Sequence, residues 1–413
     1  MHRLSEIYHE FPRKFWVVVA VMFIDRIGGT LLFPFFSLYI TEKFQVGMTQ
    51  AGVVLGLFSI FGLVGQMIGG ALTDKFGRRK LILFGLVFSA LSTLTLGLVN
   101  SYATLIPLAV VIGILSDIAG PAHQAMMADI LPEDKRQEGF GLMRVIANLA
   151  WIIGPTIGGF IAGRSYLALF IIDAAISCLV ALLFYFLISE TKPEPHPGQK
   201  PASVFETFKG YAGVWQDRAY VAFILVLISM GLVYGQMYNS LSVYLRDNHN
   251  IQPQGYGLLM STSAVTVILL QFWVSRRIKH SPPFLIMAFG AVFYVIGFGM
   301  FGFVSVFWLF MAAIVVITIG EMLVSPTMQT LTANFAPEAM RGRYMAVFGF
   351  AWMLPSAIGP GAAGLILDNF NPNLLWYLGA GLCTVSVLGF LLLHLRLGKQ
   401  ARFAPAREAA PEN

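Results

Sequence analysis

Gly70-Ala-Leu-Thr-Asp74-Lys-Phe-Gly77-Arg78-Arg79-Lys80 is a short charged break between two apolar stretches, residues 50–73 and 81–100. Each stretch reaches the roughly 20 residues that a helix needs to cross about 30 Å of hydrocarbon. Backbone groups in hydrocarbon must be satisfied within the protein, so such runs are helices or barrel strands, and runs beyond about 20 residues are too long for strands. The same pattern repeats outward in both directions. The predicted spans are 15–40, 50–73, 81–100, 103–130, 139–163, 167–188, 219–245, 255–275, 282–305, 307–333, 342–367 and 372–395, twelve in all. The 413-residue chain is 57% hydrophobic and 12% charged, so most of its surface cannot face water. The composition predicts an all-α integral membrane protein.

The cations test that topology. Lys and Arg gather in loops on the cytoplasmic side. With both termini cytoplasmic, all but five of the 27 fall inside; Lys43, Arg164 and Arg246 lie outside, and Arg26 and Arg144 sit in or at the edge of spans 1 and 5. The net charge of +6 is therefore a topological signal. It does not suggest nucleic acid as a partner, because the cations are scattered over loops without stacking aromatics between them. Cys178 and Cys383 fall inside spans 6 and 12, which implies neither a disulfide framework nor a metal site. The first fourteen residues lack a cleavable-signal pattern, so span 1 is expected to remain in the mature protein.

A Pro-rich stretch with Pro193, Pro195, Pro197, Gly198 and Pro201 separates spans 6 and 7. Sliding the chain by 205 residues aligns Ser37 with Ser242, Tyr39 with Tyr244, Gly52 with Gly257 and Gln66 with Gln271. The register continues through Pro121 and Pro326, Gln124 and Gln329, Pro132 and Pro337, Glu133 and Glu338, Arg136 and Arg341, Gly154 and Gly359, Pro155 and Pro360, and Gly159 and Gly364. The chain thus divides into a six-helix bundle over 1–189, a cytoplasmic linker over 190–216, a second bundle over 217–397 and a disordered tail over 398–413. Duplicated membrane halves are a recurring transporter plan, with substrate held near midplane and alternating access by rocking of the repeats.

The break between spans 2 and 3 also carries a resemblance. Its glycine, followed at fixed spacing by Asp, Gly and basic residues, resembles the cytoplasmic loop motif of the major facilitator superfamily, most like the twelve-helix drug:proton antiporters. The similarity spans nearly all of residues 10–397 and implies two pseudo-symmetric six-helix bundles. It further implies a conformational latch of Gly70, Asp74, Gly77, Arg78, Asp129 and Arg144, in which Asp74 meets the start of span 11 and Arg78 meets Asp129 to lock an outward-facing state. The alternative is that the basic run only sets topology.

Ala150-Trp-Ile-Ile-Gly154-Pro155-Thr-Ile-Gly158-Gly159 in span 5 looks like the superfamily's antiporter motif with Ala in the first glycine slot. Gly359, Pro360, Ala363 and Gly364 form a weaker copy in span 11. Proline bends a helix and small residues permit close approach, which suits a rocking seam or packing alone. Relatives often carry an Arg in span 4 where this chain has Ser116 and Asp117.

Ionisable groups at bilayer depth cost about 2.5–3.5 kcal/mol each on insertion scales, which marks them as functional candidates. Asp25 and Arg26 lie in span 1, Asp117 in span 4 and Glu321 in span 10, with Asp173 in span 6 read as shallower. Asp25, Glu321 and Asp117 are the proton-coupling candidates, and Arg26 is a charge partner or a holder of a substrate anion. In the superfamily, helices 1, 4, 7 and 10 line the cavity, which makes Asp117 the partner for Arg26 by resemblance. The lining candidates are Phe33, Tyr39, His123, Gln124, Tyr234, Gln236, Tyr238, Asn239, Gln329 and Trp352.

Two functions remain open at this point. One is a proton-coupled antiporter exporting amphipathic small molecules or drugs. The other is an uptake symporter for a sugar, peptide or organic anion, with Arg26 holding the anionic group. Both expect a monomer in the inner membrane whose partners are lipid, protons and a small-molecule substrate, with no cofactor, no metal and no nucleic acid. Neither a nucleotide-binding loop nor a nucleophile with its base appears, so an enzyme or an ATP-driven pump is not expected.

Overall fold

The computed structural model describes residues 10–132, 135–192, 213–278, 280–337, 340–400 and 403, apart from the side chains of Asp74, Arg136, Gln137, Arg144 and Arg341. Glu133, Glu338, the prolines from Pro193 to Pro201 and the tail beyond residue 403 lie outside the described residues.

All twelve predicted spans are helices: α1 Arg13–Phe44, α2 Met48–Thr73, α3 Arg78–Leu98, α4 Tyr102–Ile130, α5 Glu138–Ala162, α6 Tyr166–Leu187, α7 Arg218–Asn239, α8 Pro253–Ile278, α9 Pro283–Phe301, α10 Phe307–Phe335, α11 Arg343–Asn369 and α12 Asn373–Leu397. Phe186, Trp273 and Leu395 each leave about three quarters of their surface uncovered. In water such exposure invites association; in lipid it is the ordinary outer face of a spanning helix.

Several helices are interrupted, and proline lies at two of the breaks. In a helix, a proline ring clashes with the carbonyl four residues back and removes one donor. Pro121 meets the carbonyl of Asp117 in this way, and α4 tightens into a 3-10 turn over Asp117–Ala119. In α1, Pro34 lies within a 3-10 turn over Phe33–Phe35. In α7 the helix breaks near Gly235 and again at Ser240 before continuing as Leu241–His249, so the predicted span 219–245 is three pieces. Pro326 lies in the repeat position of Pro121, yet α10 runs through it unbroken.

The chain forms two units, Met1–Gln199 with Asn250–Ser261, and Lys200–His249 with Thr262–Asn413. In the first, α1 packs on α5 and α6, and α3 packs on α6; in the second, α7 packs on α11 and α12, and α9 packs on α12. The three pairings correspond under the 205-residue shift. The first unit's core joins Phe15, Ile82, Met127 and Phe184, while the second stacks Phe223 on Phe335 at 5.3 Å and sets Tyr220 against Tyr344, tilted, at 4.5 Å. Because lipid tails are as apolar as these side chains, close packing and dispersion hold the helices together rather than escape from water.

The predicted division at 217 needs one amendment, since the start of α8 belongs with the first unit. Backbone proximity accounts for this. A Cβ on Gly257 would come within 2.3 Å of the Pro155 carbonyl oxygen, and one on Gly159 within 2.8 Å of the Pro253 carbonyl oxygen. Thr156 and Ser261 share a hydroxyl hydrogen bond across the same contact.

Candidate functional site

In the first unit a cavity of about 560 Å³ collects the polar residues of α1 and α4, among them Asp25, Arg26, Ser116, Asp117, His123 and Gln124. The proline-induced turn carries Ser116 and Asp117 to its wall. The Asp117 carboxylate leans on α2, where a Cβ on Gly62 would approach Oδ2 to 2.6 Å. Nδ1 of His123 lies 3.1 Å from the Ala119 carbonyl oxygen. The charge of Arg26 bears on both Asp25 and His123. The resemblance implies an Arg26–Asp117 bridge, but both residues face the cavity and no ion pair within 4 Å joins them. Arg26 is exposed at the cavity wall beside Asp25, its chain neighbour.

Glu321 occupies a different setting in the second unit. A pocket of about 40 Å³ is bounded by Glu321, Tyr234, Tyr294, Ser325 and Trp352. That is close to the roughly 30 Å³ one water occupies in the liquid. Tyr234 stacks on Tyr294 at 5.6 Å and meets Trp352 edge-on at 6.4 Å, and its hydroxyl lies 3.2 Å from that of Tyr238. Glu321 acts electrostatically on all three tyrosines. A carboxylate ringed by π faces and hydroxyls suits a cation, because both the charge and the ring quadrupoles attract it.

Some expected lining residues have other work. Tyr39 is buried and its hydroxyl donates to the Leu96 carbonyl. Its repeat mate Tyr244 donates to Phe301 at 2.9 Å, the position equivalent to Leu96. Both tyrosines therefore staple the first helix of a unit to the third, and Tyr39 does not border the cavity that holds Asp25 and Arg26. Gln236 is likewise removed from the Glu321 pocket: its amide donates to Leu232 and accepts from Ser240, and it faces an apolar groove of about 600 Å³ among α7, α11 and α12. The side chain of Asn239 donates to Gly235 one turn back. Phe33 is half exposed, edge-on to Trp151 at 6.4 Å, and Gln329 is exposed.

Where α2 gives way to α3, Nε of Arg78 donates to Asp129 at 3.0 Å with both side chains largely covered. Glu190 joins them: its carboxylate accepts from the backbone N–H groups of Arg78 and Arg79 at 2.9 and 3.2 Å, and Thr191 donates to Asp129 at 3.2 Å. A carboxylate thus caps the N-terminus of α3, where unsatisfied donors and the helix dipole favour negative charge. Gly77 precedes that helix at φ +92, and a Cβ there would come within 2.5 Å of Oε2 of Glu190. Although slight desolvation acts the other way, four backbone donors from Lys192, Arg78, Thr191 and Arg79 hold the exposed Glu190 carboxyl below its usual range. The side chains of Asp74 and Arg144 lie outside the described residues, and a Cβ on Gly70 would meet open space.

The span 5 glycines serve close packing. Cβ atoms on Gly154 and Gly158 would strike Thr30 and the Leu31 carbonyl of α1, at 2.1 and 2.3 Å. In the second unit, one on Gly359 would reach Nε2 of Gln236 at 2.9 Å, and Pro360 is buried beside it. Sequence reasoning missed Glu190, which it placed in the linker, and Tyr294, because α9 is not among the helices that the resemblance makes lining. It also undervalued Asp173, which is buried, accepting from Thr93 at 3.0 Å.

Twelve apolar helices in two repeat-related units, each with ionisable groups at membrane depth, define a membrane transporter fold. The sequence matches the Major Facilitator Superfamily over residues 18–360 and 236–412, and the chain belongs to that family. It is 28% identical to a Na(+), Li(+), K(+)/H(+) antiporter of Planococcus maritimus over 85% of this chain and 89% of that one. It is 24% identical to the quinolone resistance protein NorA of Staphylococcus aureus over 86% of this chain and 90% of that one. A crystal structure of a POT family transporter in complex with 5-aminolevulinic acid superposes with a TM-score of 0.79 at 16% identity, covering 93% of this chain and 96% of that one.

Proposed function

We propose that the protein is a proton-coupled antiporter that exports amphipathic organic cations across the cytoplasmic membrane, with both termini in the cytoplasm. The observation that carries this reading is Glu321 among Tyr234, Tyr238, Tyr294 and Trp352. The pocket has room for about one water and Trp352 is partly exposed at its edge, so in this reading the cation is held against the pocket and not enclosed by it; the carboxyl holds either a proton or that charge, and the exclusion is the core of exchange. Inward-moving protons load the acid and release substrate outside; substrate drawn from the inside displaces the proton. Asp25 and Asp117 offer a second loading point in the polar cavity of the first unit. The antiporter and drug-resistance names of the relatives support cation exchange and export. The cluster of Arg78, Asp129, Glu190 and Thr191 serves as the latch of the first unit.

Uptake symport is the second reading, favoured by Arg26 facing the cavity as a ready holder of an anionic group. Direction separates the two. Proteoliposomes carrying an imposed pH gradient are given ethidium, and separately a dipeptide and a sugar. Antiport predicts ethidium movement opposite to the proton flow, with that coupling lost in Asp25→Asn and Glu321→Gln. Accumulation of the dipeptide or sugar along with protons would favour symport instead.

A further inference from the structure

Asp173 lies outside both pockets and has no role in the mechanism above. It is 6% exposed on α6, and Oδ2 accepts the hydroxyl of Thr93, itself buried on α3, at 3.0 Å. Oδ1 lies against α1 at Gly28, where a Cβ would come within 2.6 Å. Gly28 is three residues from Asp25, and residues at that spacing share one side of a helix. The glycine therefore opens a notch in α1 through which the carboxylate of α6 reaches the side that carries Asp25. The charge of Asp25 acts on Asp173.

The ionisable neighbours are few. From α1 they are Asp25 and Arg26, and Arg26 acts on Asp25. Residues 81–98 of α3 and 145–162 of α5 contain no ionisable side chain, and Asp173 is the only acidic or basic residue between Tyr166 and Leu187. Asp173 meets α1 one helical turn from Asp25, and two carboxylates on one side of a helix at membrane depth repel each other and are desolvated, which disfavours both being ionised together.

We propose that Asp173 is a second proton-handling residue, sharing one exchangeable proton with Asp25. Asp25 borders the cavity and exchanges with water; Asp173 stores the proton behind the notch. Transfer moves the proton from the Asp25 carboxylic acid to the Asp173 carboxylate, leaving the net charge of the pair unchanged. Thr93 favours the ionised form of Asp173 by donating to it, and Arg26 favours the ionised form of Asp25. Displacement of Arg26 by substrate or by domain motion would send the proton back toward Asp25. The inference deepens the proton-coupling reading and rests on it for its role in transport, but not for the existence of the shared proton.

Infrared difference spectroscopy of the purified protein, titrated with pH and without substrate, reads that proton through the carbonyl stretch of a protonated carboxylic acid. Coupled acids titrate as a pair. In Asp173→Asn the remaining Asp25 loses its like-charged neighbour, and its midpoint should move toward acid by about one unit, a tenfold change in proton concentration. In Thr93→Val, which keeps the volume and removes the donor, the midpoint should move toward alkaline pH. Opposite shifts are the signature; a residue that only packs would not give them. Midpoints equal to wild type in both variants, or shifts of the same sign, overturn the proposal. If Asp173→Asn does not fold, Asp25→Asn takes its place: the midpoint of the remaining Asp173 should move toward acid, opposite to Thr93→Val, and an unchanged midpoint overturns the proposal. Failure of ethidium exchange with intact opposite shifts would sink the antiport reading and leave the shared proton standing.

Discussion

Gly77 and Trp352 show how much a single position carries. At φ +92, a conformation that L side chains rarely adopt, with Glu190 where a Cβ would go, Gly77→Ala should lose about 1–3 kcal/mol of stability, read as a lower thermal midpoint in detergent. Trp352 forms one wall of the Glu321 pocket and is 44% exposed, so its removal leaves the core intact. A cation over an aromatic face is worth about 0.5–2 kcal/mol. Trp352→Ala should therefore weaken ethidium binding roughly 2- to 30-fold with little change in thermal midpoint, measured by dye fluorescence titration. Equal losses for a neutral dye of the same size would argue that the ring supplies only bulk. The importance of Gly77 was legible from the motif, because a reversal between two helices needs a permissive residue. The partner of Tyr39 was not legible: polarity and helix number suggested a lining role, whereas its hydroxyl donates to the Leu96 carbonyl on α3, 57 residues away in the chain.

At the level of elements, the sequence predicted all twelve helices because hydrocarbon thickness dictates their length, and the structure moves most ends by only a few residues. Breaks were harder to read. Pro121 and Pro326 occupy equivalent positions, yet only α4 tightens, so neighbouring packing decides whether a proline distorts a helix. The Glu190 cap was invisible for a different reason, since it brings together residues 112 apart in the chain. Its consequence is measurable. With its carboxyl held below the ordinary 4.5, Glu190 contributes stability that is fully present above that value and is lost as pH falls through the lower folded value. The group is exposed, so the cap lies at the weak end of the helix-dipole range, a few tenths of a kcal/mol. Glu190→Gln should lower the thermal midpoint slightly at pH 7 and flatten its fall between about pH 5 and 3, checked by melting curves across that range. A curve parallel to wild type would exclude Glu190 as the acid-sensitive cap.

Across the whole molecule, two units built on one repeat have come to hold different chemistry. Asp25, Arg26 and His123 in the first correspond to Met230, Gly231 and Met328 in the second, whereas Glu321 corresponds to Ser116. The first unit is thus a charged, roomy cavity and the second a tight aromatic box around one acid. The repeat register was readable by sliding the sequence. The aromatic box was only partly so, because Tyr294 enters from α9. This division of labour rests on Glu321 taking a cation in exchange for a proton. Proton release on substrate binding tests it directly: tetraphenylphosphonium is added to purified protein in weakly buffered solution at neutral pH and the pH change is recorded. Acidification that saturates with binding, and disappears in Glu321→Gln, is the predicted result; binding without acidification, or the same acidification in the variant, would contradict it.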